Sequence, residues 1–439
     1  MKRKEKQSQK VNNNSKSRER VKWDKLDNTA NLFPVIASEN MSNVWRISVS
    51  LKEEVDPVLL QEALNRILPR FSLFRMRLRK GIFWYYFEEN KNPFPDVAQE
   101  HSFPGAYIDR SRNRHYMFRV SYYQCRINLE VFHALTDGYG GIQFLKELLY
   151  QYLRLKYPQL LQVEKDKLSG GLHLDQEDSY VNNFKKGHEK VYKSEEAVQL
   201  EGEKLPKGEL GVIHGYLPVP ALKAAAKRYD TTINEFLVGV YTYAIYKGYL
   251  RGRKSRKPIS TCVPVNLRPY YDSYTMKNFF AMVSAVFHPE KEDYSLEEVL
   301  FIVKESLHQQ ITPENLDNIM SYNVSNEKNW VLRSVPLFVK NIAMRGVYNA
   351  TARANSSTVT NIGNIVLREP YRKYVECFYC TIAMSRGQNI KGGIVSYNDV
   401  LTVTFSSVLE STAVQSYFFK TLAKEGIPVA VESNGVYYE

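Results

Sequence analysis

The feature that most constrains this chain is an abrupt change of hydrophobic period at Gly138. Before it, Cys125, Ile127, Leu129, Val131 and His133 recur at every second position, which places them on one face of a strand. Beyond it, Ile142, Leu145, Leu149, Tyr152 and Leu153 recur at helical spacing and predict a helix of about fifteen residues. Strand, turn and helix must follow in immediate succession. The turn reads His133-Ala134-Leu135-Thr136-Asp137-Gly138, with Gly140-Gly141 just after it, so an imidazole and a carboxylate are confined to the end of a buried strand.

The same punctuation organises the rest. A strand is expected over 44–51, and Asp56 followed by Pro57 is an N-cap with proline at N1 for a helix over 57–68. Residues 74–87 read as a hairpin joined at Lys80 and Gly81, and 115–132 as a second. Thr232 with Glu235 and Ser295 with Glu298 form capping boxes before helices over 236–249 and 299–307. Strands are expected over 258–265, 278–288, 357–361, 375–383, 392–397 and 400–407, with Asn398 and Asp399 turning between the last two. Pro336 suits the first turn of a helix reaching Ala350, and Ser411 caps a helix that Gly426 ends. Each half mixes sheet and helix, the α+β pattern of two layers packed side by side. The expected division is a floppy basic arm over 1–20, a first lobe over 21–160, a linker rich in Lys, Glu, Gly and Asp over 161–210, and a second lobe over 211–439.

With 439 residues, 44% hydrophobic and 24% charged, the chain can bury a large core and is neither fibrous nor disordered. No apolar run approaches the roughly 20 residues of a membrane-spanning helix, and no apolar stretch follows the basic N-terminus as in a signal peptide. A cytoplasmic monomer is the expectation. Cys125, Cys262, Cys377 and Cys380 lie in strand-like segments and read as reduced core residues. Cys377 and Cys380 have metal-site spacing but no second pair and no nearby histidine, so no metal is assigned.

The formal charge is +13. Lys2, Arg3, Lys4, Lys6, Lys10, Lys16, Arg18 and Arg20 face only Glu5 and Glu19, in a segment too poor in apolar residues to order itself. Such an arm could touch an anionic membrane peripherally, and nothing in it suggests specific nucleic-acid recognition. A second cluster, Arg253, Lys254, Arg256 and Lys257, lacks the spacing of a Walker loop but could grip a phosphorylated cofactor.

No GxSxG, HExxH or GxGxxG pattern occurs, which leaves the HxxxDG at His133 as the constellation that carries chemistry. An imidazole leaving an apolar strand titrates near neutrality and can serve as a base. Asp137 can brace the loop, and Gly138 permits a close approach that a Cβ would hinder. The bland alternative is a hydrogen-bonded core histidine with Asp137 as an N-cap.

The segments WDKLDNTANLFP, ILPRFSLFRMRLRKGIFWYY, HALTDG, CVPVNLRPYYDSYTMKNFF and TVTNIG, in that order, resemble the HxxxD acyltransferase superfamily, which includes chloramphenicol acetyltransferase and peptide-synthetase condensation domains. The likeness covers most of the chain after the arm and is greatest to the alcohol acetyltransferase-like branch. It implies two chloramphenicol-acetyltransferase-like lobes with an active-site tunnel between them. It implies an acyl group passing from an acyl-CoA or acyl-carrier-protein thioester, a co-substrate with no tightly bound cofactor beside it, to an alcohol or amine, small or lipid-like. His133 matches the family's general base and Asp137 its structural aspartate. The aspartate's arginine partner is Arg75 by best correspondence, with Arg268 as the other candidate. Thr360 or Asn361 would supply the oxyanion donor, and Asn266 and Asn278 would organise the lobe interface. Phe132 stands where condensation domains carry a further histidine, and the plant branch's DFGWG is missing, which weakens those two assignments. Two other readings remain: a binding protein of the same fold without turnover, and an anionic-surface binder led by its arm.

Overall fold

The computed structural model describes residues 22–163, 177–185, 195–328 and 333–437. The arm over 1–20 and residues 164–176 and 186–194 of the 161–210 linker lie outside them. In the first half the strands are β1 (Trp23–Lys25), β2 (Val44–Leu51), β3 (Met76–Lys80), β4 (Tyr85–Glu89), β5 (Ala98–Gln99), β6 (Phe118–Tyr123) and β7 (Arg126–Phe132). In the second they are β8 (Gly211–Pro218), β9 (Ile259–Asn266), β10 (Phe280–Phe287), β11 (Ser357–Asn364), β12 (Val375–Ile382), β13 (Ile390–Tyr397), β14 (Val400–Ser407) and β15 (Ala430–Ser433).

These strands form a five-stranded sheet ordered β12-β2-β7-β6-β5, a seven-stranded sheet ordered β10-β9-β11-β13-β14-β8-β15, and a small sheet β1-β4-β3. The helices Pro57–Ile67 and Gly138–Lys156 belong to the first apolar core, where Phe71, Phe74, Phe118 and Phe144 pack edge-to-face and stacked. Burying each such side chain contributes roughly 1.5–3 kcal/mol. The helices Ile233–Gly248, Leu296–Gln310 and Ala413–Lys424 build the second core against the seven-stranded sheet, and both expected capping boxes are formed. Among the described residues no helix is long and apolar enough to cross a membrane.

One strand crosses the division at 211. β12 comes from the second half yet pairs antiparallel with β2 of the first, Phe378 opposite Val49 and Ile382 opposite Trp45. The same strand packs face to face on β13 and β14, so it belongs to the first sheet while lying against the second. Cys377 and Cys380, three apart on it, point to opposite faces, a geometry in which they cannot chelate one ion.

The two sheets approach closely at Gly393 on β13, where any Cβ would overlap the carbonyl of Cys380. Backbone on both sides leaves nothing flexible to yield. Gly393→Ala is therefore expected to destabilise the protein by about 1–3 kcal/mol, the usual cost of overpacking, read as a lowered urea midpoint. Gly346 sits mid-helix in open space, and Gly346→Ala should raise stability by about 0.5–1 kcal/mol.

Candidate active site

β7 ends at Phe132, one residue before the histidine, and the backbone N–H of His133 continues the ladder by donating to Asn43 O at 2.9 Å. The strand cannot continue. Leu135 N–H folds back to Phe132 O, and Asp137 caps the next helix by accepting from Tyr139 N–H at 3.1 Å and Gly140 N–H at 3.3 Å. The steric need for glycine falls two residues later than expected. A Cβ at Gly138 would meet only Ile362, at 3.9 Å, whereas one at Gly140 would overlap Thr136 and the Met276 carbonyl, and one at Gly141 the Trp45 ring. Gly138 is thus not the close-approach position.

Asp137 faces Arg268 across the two halves. The guanidinium lies just after β9 and grips the carboxylate in a fork, Nη1 to Oδ2 at 2.9 Å and Nη2 to Oδ1 at 3.1 Å, with both side chains buried. Its remaining donors go to the carbonyls of Thr275 and Lys277 and to Asn266 Oδ1, and Tyr139 lies under its face at 4.4 Å. Phe279 N–H donates to Asp137 Oδ2 at 2.9 Å, so the carboxylate binds the start of β10 as well. Arg75 is not the partner. Its guanidinium turns to Glu89 at 2.8 Å in a half-exposed pair inside the hairpin, because the chain reverses at 72–75 and leads the side chain along β4.

The His133 ring stacks on Phe33 with centroids 4.5 Å apart and lies edge-on to Trp45 and tilted against Phe280. It stays partly exposed to solvent. Nδ1 lies 3.0 Å from Asn278 Oδ1. Asn278 donates both its backbone N–H, at 3.2 Å, and its Nδ2, at 3.0 Å, to Asp27 Oδ2, and Ala30 N–H donates to the other oxygen. When ionised, Asp27 only accepts, and the amide then presents N–H to Asp27 and its oxygen to the ring. Nδ1 then carries the proton and Nε2 the free lone pair. Burial of Asp27 lifts its pKa to about 7, while Asn278, Ala30 and nearby Lys277 pull it down. Burial also holds His133 below its ordinary 6.5. Asp137 and Asn278 oppose that shift, and the charge of Lys391 reinforces it.

Lys391 on β13 is buried, its pKa pushed down to about 8 by desolvation. It pairs in register with Thr358 on β11, which puts Thr358 and Thr360 on the face of the seven-stranded sheet that also carries Gly393 and meets the first lobe. Asn361 points the other way: its Nδ2 donates to Asn234 Oδ1 at 3.1 Å at the start of a helix on the outer layer, and its Oδ1 accepts from Gly363 N–H. Of the two expected oxyanion donors, Thr360 alone shares the face of the site. The basic cluster is not brought together with it. Arg253, Lys254, Arg256 and Lys257 lie before β9, at the end opposite Asn266, and Lys257 pairs with Glu196 at 2.9 Å. The length of that strand, ~23 Å at 3.3 Å per residue, separates them from the imidazole.

No family model matches the sequence, and no curated protein does. The fold has clear parallels. The trichothecene 15-O-acetyltransferase of Fusarium sporotrichioides aligns with a TM-score of 0.58 at 11% identity, over 92% of this chain and 94% of that one. The starter condensation domain of rhizomide synthetase, solved with C8-CoA and Leu-SNAC, gives 0.55 at 11% identity over 92% and 93%. The wax ester synthase/diacylglycerol acyltransferase of Marinobacter aquaeolei VT8 gives 0.53 at 13% identity over 92% and 98%. The architecture is thus the two-lobed α+β fold of condensation domains and chloramphenicol-acetyltransferase-like transferases.

Removing one member of the Asp137–Arg268 pair strands a buried charge. Asp137→Ala should cost about 3–5 kcal/mol, and Arg75→Met no more than about 1 kcal/mol from its solvated pair. Urea denaturation of the two variants checks the contrast.

Proposed function

We propose that the protein is an HxxxD-type acyltransferase of the alcohol acetyltransferase-like kind, moving an acyl group from an acyl-CoA or carrier-protein thioester to a hydroxyl or amine. The observation that carries this reading is the hydrogen-bond order Asp27, Asn278, His133, which leaves Nε2 of the imidazole unprotonated where the lobes meet. Nε2 takes the proton of the acceptor as its oxygen or nitrogen attacks the thioester carbonyl. The tetrahedral intermediate collapses, the C–S bond breaks, and the thiolate leaves with that proton. No covalent acyl-enzyme is needed. The Thr360 hydroxyl is the candidate donor to the oxyanion, worth roughly 10²–10³ in rate where such donors have been removed. Asp137 and Arg268 position the loop, and burial, reinforced by the charge of Lys391, disfavours the imidazolium and keeps the base neutral. The solved neighbours named for acetyl transfer, wax ester synthesis and condensation support the class of reaction.

Following free thiol release over a panel of thioesters and alcohols tests this. His133→Ala should lose roughly 10²–10⁴ of the rate; an equal rate removes the imidazole from the mechanism, and no release with any pair favours a binding protein without turnover. Imidazolium has no lone pair to offer, so kcat/KM should fall as pH drops through the depressed His133 pKa, with the acid limb below pH 6.5.

Asn278 and Asp27 act through the ring and are positioning residues. Asp27→Asn can turn an N–H toward Asn278 and let that amide flip, exposing the wrong tautomer. Its expected signature is a lower kcat, by up to the roughly 10²–10⁴ that base catalysis supplies, with KM little changed. A merely structural role would lower the melting temperature and leave the kcat of the folded fraction intact.

A further inference from the structure

The helix Leu337–Thr351 is amphipathic the wrong way round for a globular protein. Leu337 is its one fully buried residue. Its inner face is the more polar one: Asn341 donates to Tyr85 OH, Lys340 Nζ to Phe83 O, Arg345 Nε to Val35 O, and the Tyr348 hydroxyl lies beside Met41. Its outer face carries Phe338 at 63% exposure and Ile342 at 69%, followed round the helix by Gly346, Val339, Ala350 and Ala343 to Val347 at 65%, half a turn from Phe338, with exposed Arg345 and Asn349 on the Phe338 side.

The stripe does not stand alone. Leu337 N–H donates to Ile82 O at 2.8 Å, which joins the helix to the tip of the β3–β4 hairpin. A hairpin tip usually holds Gly, Asn or Asp, but this one is Gly81-Ile82-Phe83-Trp84, with Ile82 76% and Trp84 52% exposed. Trp23 is exposed on the adjoining β1, opposite Glu88 at the end of β4 away from the tip. Exposed large apolar side chains on two joined elements of a folded chain mark a docking site.

Charge identifies the occupant. Neither 79–87 nor 333–351 contains an acidic residue, and Arg79, Lys80, Arg333 and Arg345 are exposed around the patch. The cationic segment 1–20 joins the fold immediately before Lys22 and Trp23. Aromatic tips inside a cationic rim, next to a helix with an outward apolar stripe, are the composition of an interfacial membrane contact. A polybasic segment beside it adds attraction to anionic headgroups.

We infer that the hairpin tip at 81–84 and the outer stripe of Leu337–Thr351 form one face that inserts into the surface of an anionic lipid bilayer, with residues 1–20 as its electrostatic tether. This stands independently of the acyl-transfer reading, because binding can be measured without turnover.

The test is co-sedimentation of the full chain with phosphatidylcholine vesicles, alone or with about one third phosphatidylserine. Binding is expected to the mixed vesicles and to weaken with added salt. The surface variant Ile82→Ser/Trp84→Ser/Phe338→Ser/Ile342→Ser should bind at least about tenfold more weakly, with an unchanged melting temperature. Deleting 1–20 should weaken binding chiefly at low salt. Three results would overturn the proposal: no binding of the full chain to the mixed vesicles, undiminished binding of the surface variant, or a dimer of the full chain that the variant makes monomeric, which assigns the face to a second copy.

Discussion

The Asp137–Arg268 pair is the constraint on which the remaining geometry depends. The carboxylate accepts from two N–H groups at the start of the helix Gly138–Lys156, from Phe279 at the start of β10, and from both ends of the guanidinium fork. Every strong acceptor direction is used, and the arginine spends its other donors on the Thr275 and Lys277 carbonyls and Asn266. A buried ion pair repays its desolvation only when its remaining hydrogen-bonding groups are satisfied in this way. The result is a fixed distance between the loop that carries His133 and the segment that carries Asn278, which are on different halves of the chain.

That fixed distance explains how a single amide can govern the ring. Asn278 precedes Phe279 by one residue, so the same short stretch binds Asp137 through one backbone N–H and Asp27 through another. The two aspartates have different environments. Asp137 meets a full positive charge, while Asp27 meets N–H dipoles, the like charge of Asp178 and a lysine at a remove, and desolvation dominates it. Asp27 therefore orients Asn278 chiefly as an acceptor and not as a counter-charge, and the imidazole beyond it stays below its ordinary pKa because burial disfavours its charged form.

What could be read in the sequence follows from what is local. His133 and Asp137 fall within one turn, and the period change around them was legible because strand and helix each bury one face. The capping boxes and the Asp56-Pro57 helix start are likewise short-range chemistry. Arg268 lies 131 residues from Asp137, and nothing local distinguishes it from Arg75, which follows the first helix but turns to Glu89. Asp27 and Lys391 were invisible for a related reason: their significance comes from burial and from partners far away in sequence, not from spacing. β8 escaped because burial on both faces erases its alternation, and β12 was recognisable as a strand while its pairing with β2 was not.

The apolar outer face and the candidate site are separated by one short segment. Arg345, on the helix Leu337–Thr351, donates to the carbonyl of Val35, and Phe33, two residues earlier in the four-residue helix Phe33–Ile36, is the ring stacked on His133. The same long helix leads through residues 352–356 into β11, the strand that carries Thr360. Both the residue packed on the base and the candidate oxyanion donor are thus tied to an element whose solvent face is hydrophobic. A helix held inward by polar contacts and exposing Phe338 and Ile342 keeps apolar area in water, at roughly 25 cal/mol per Å². Covering that face would recover this free energy, which is what the bilayer contact inferred above supplies.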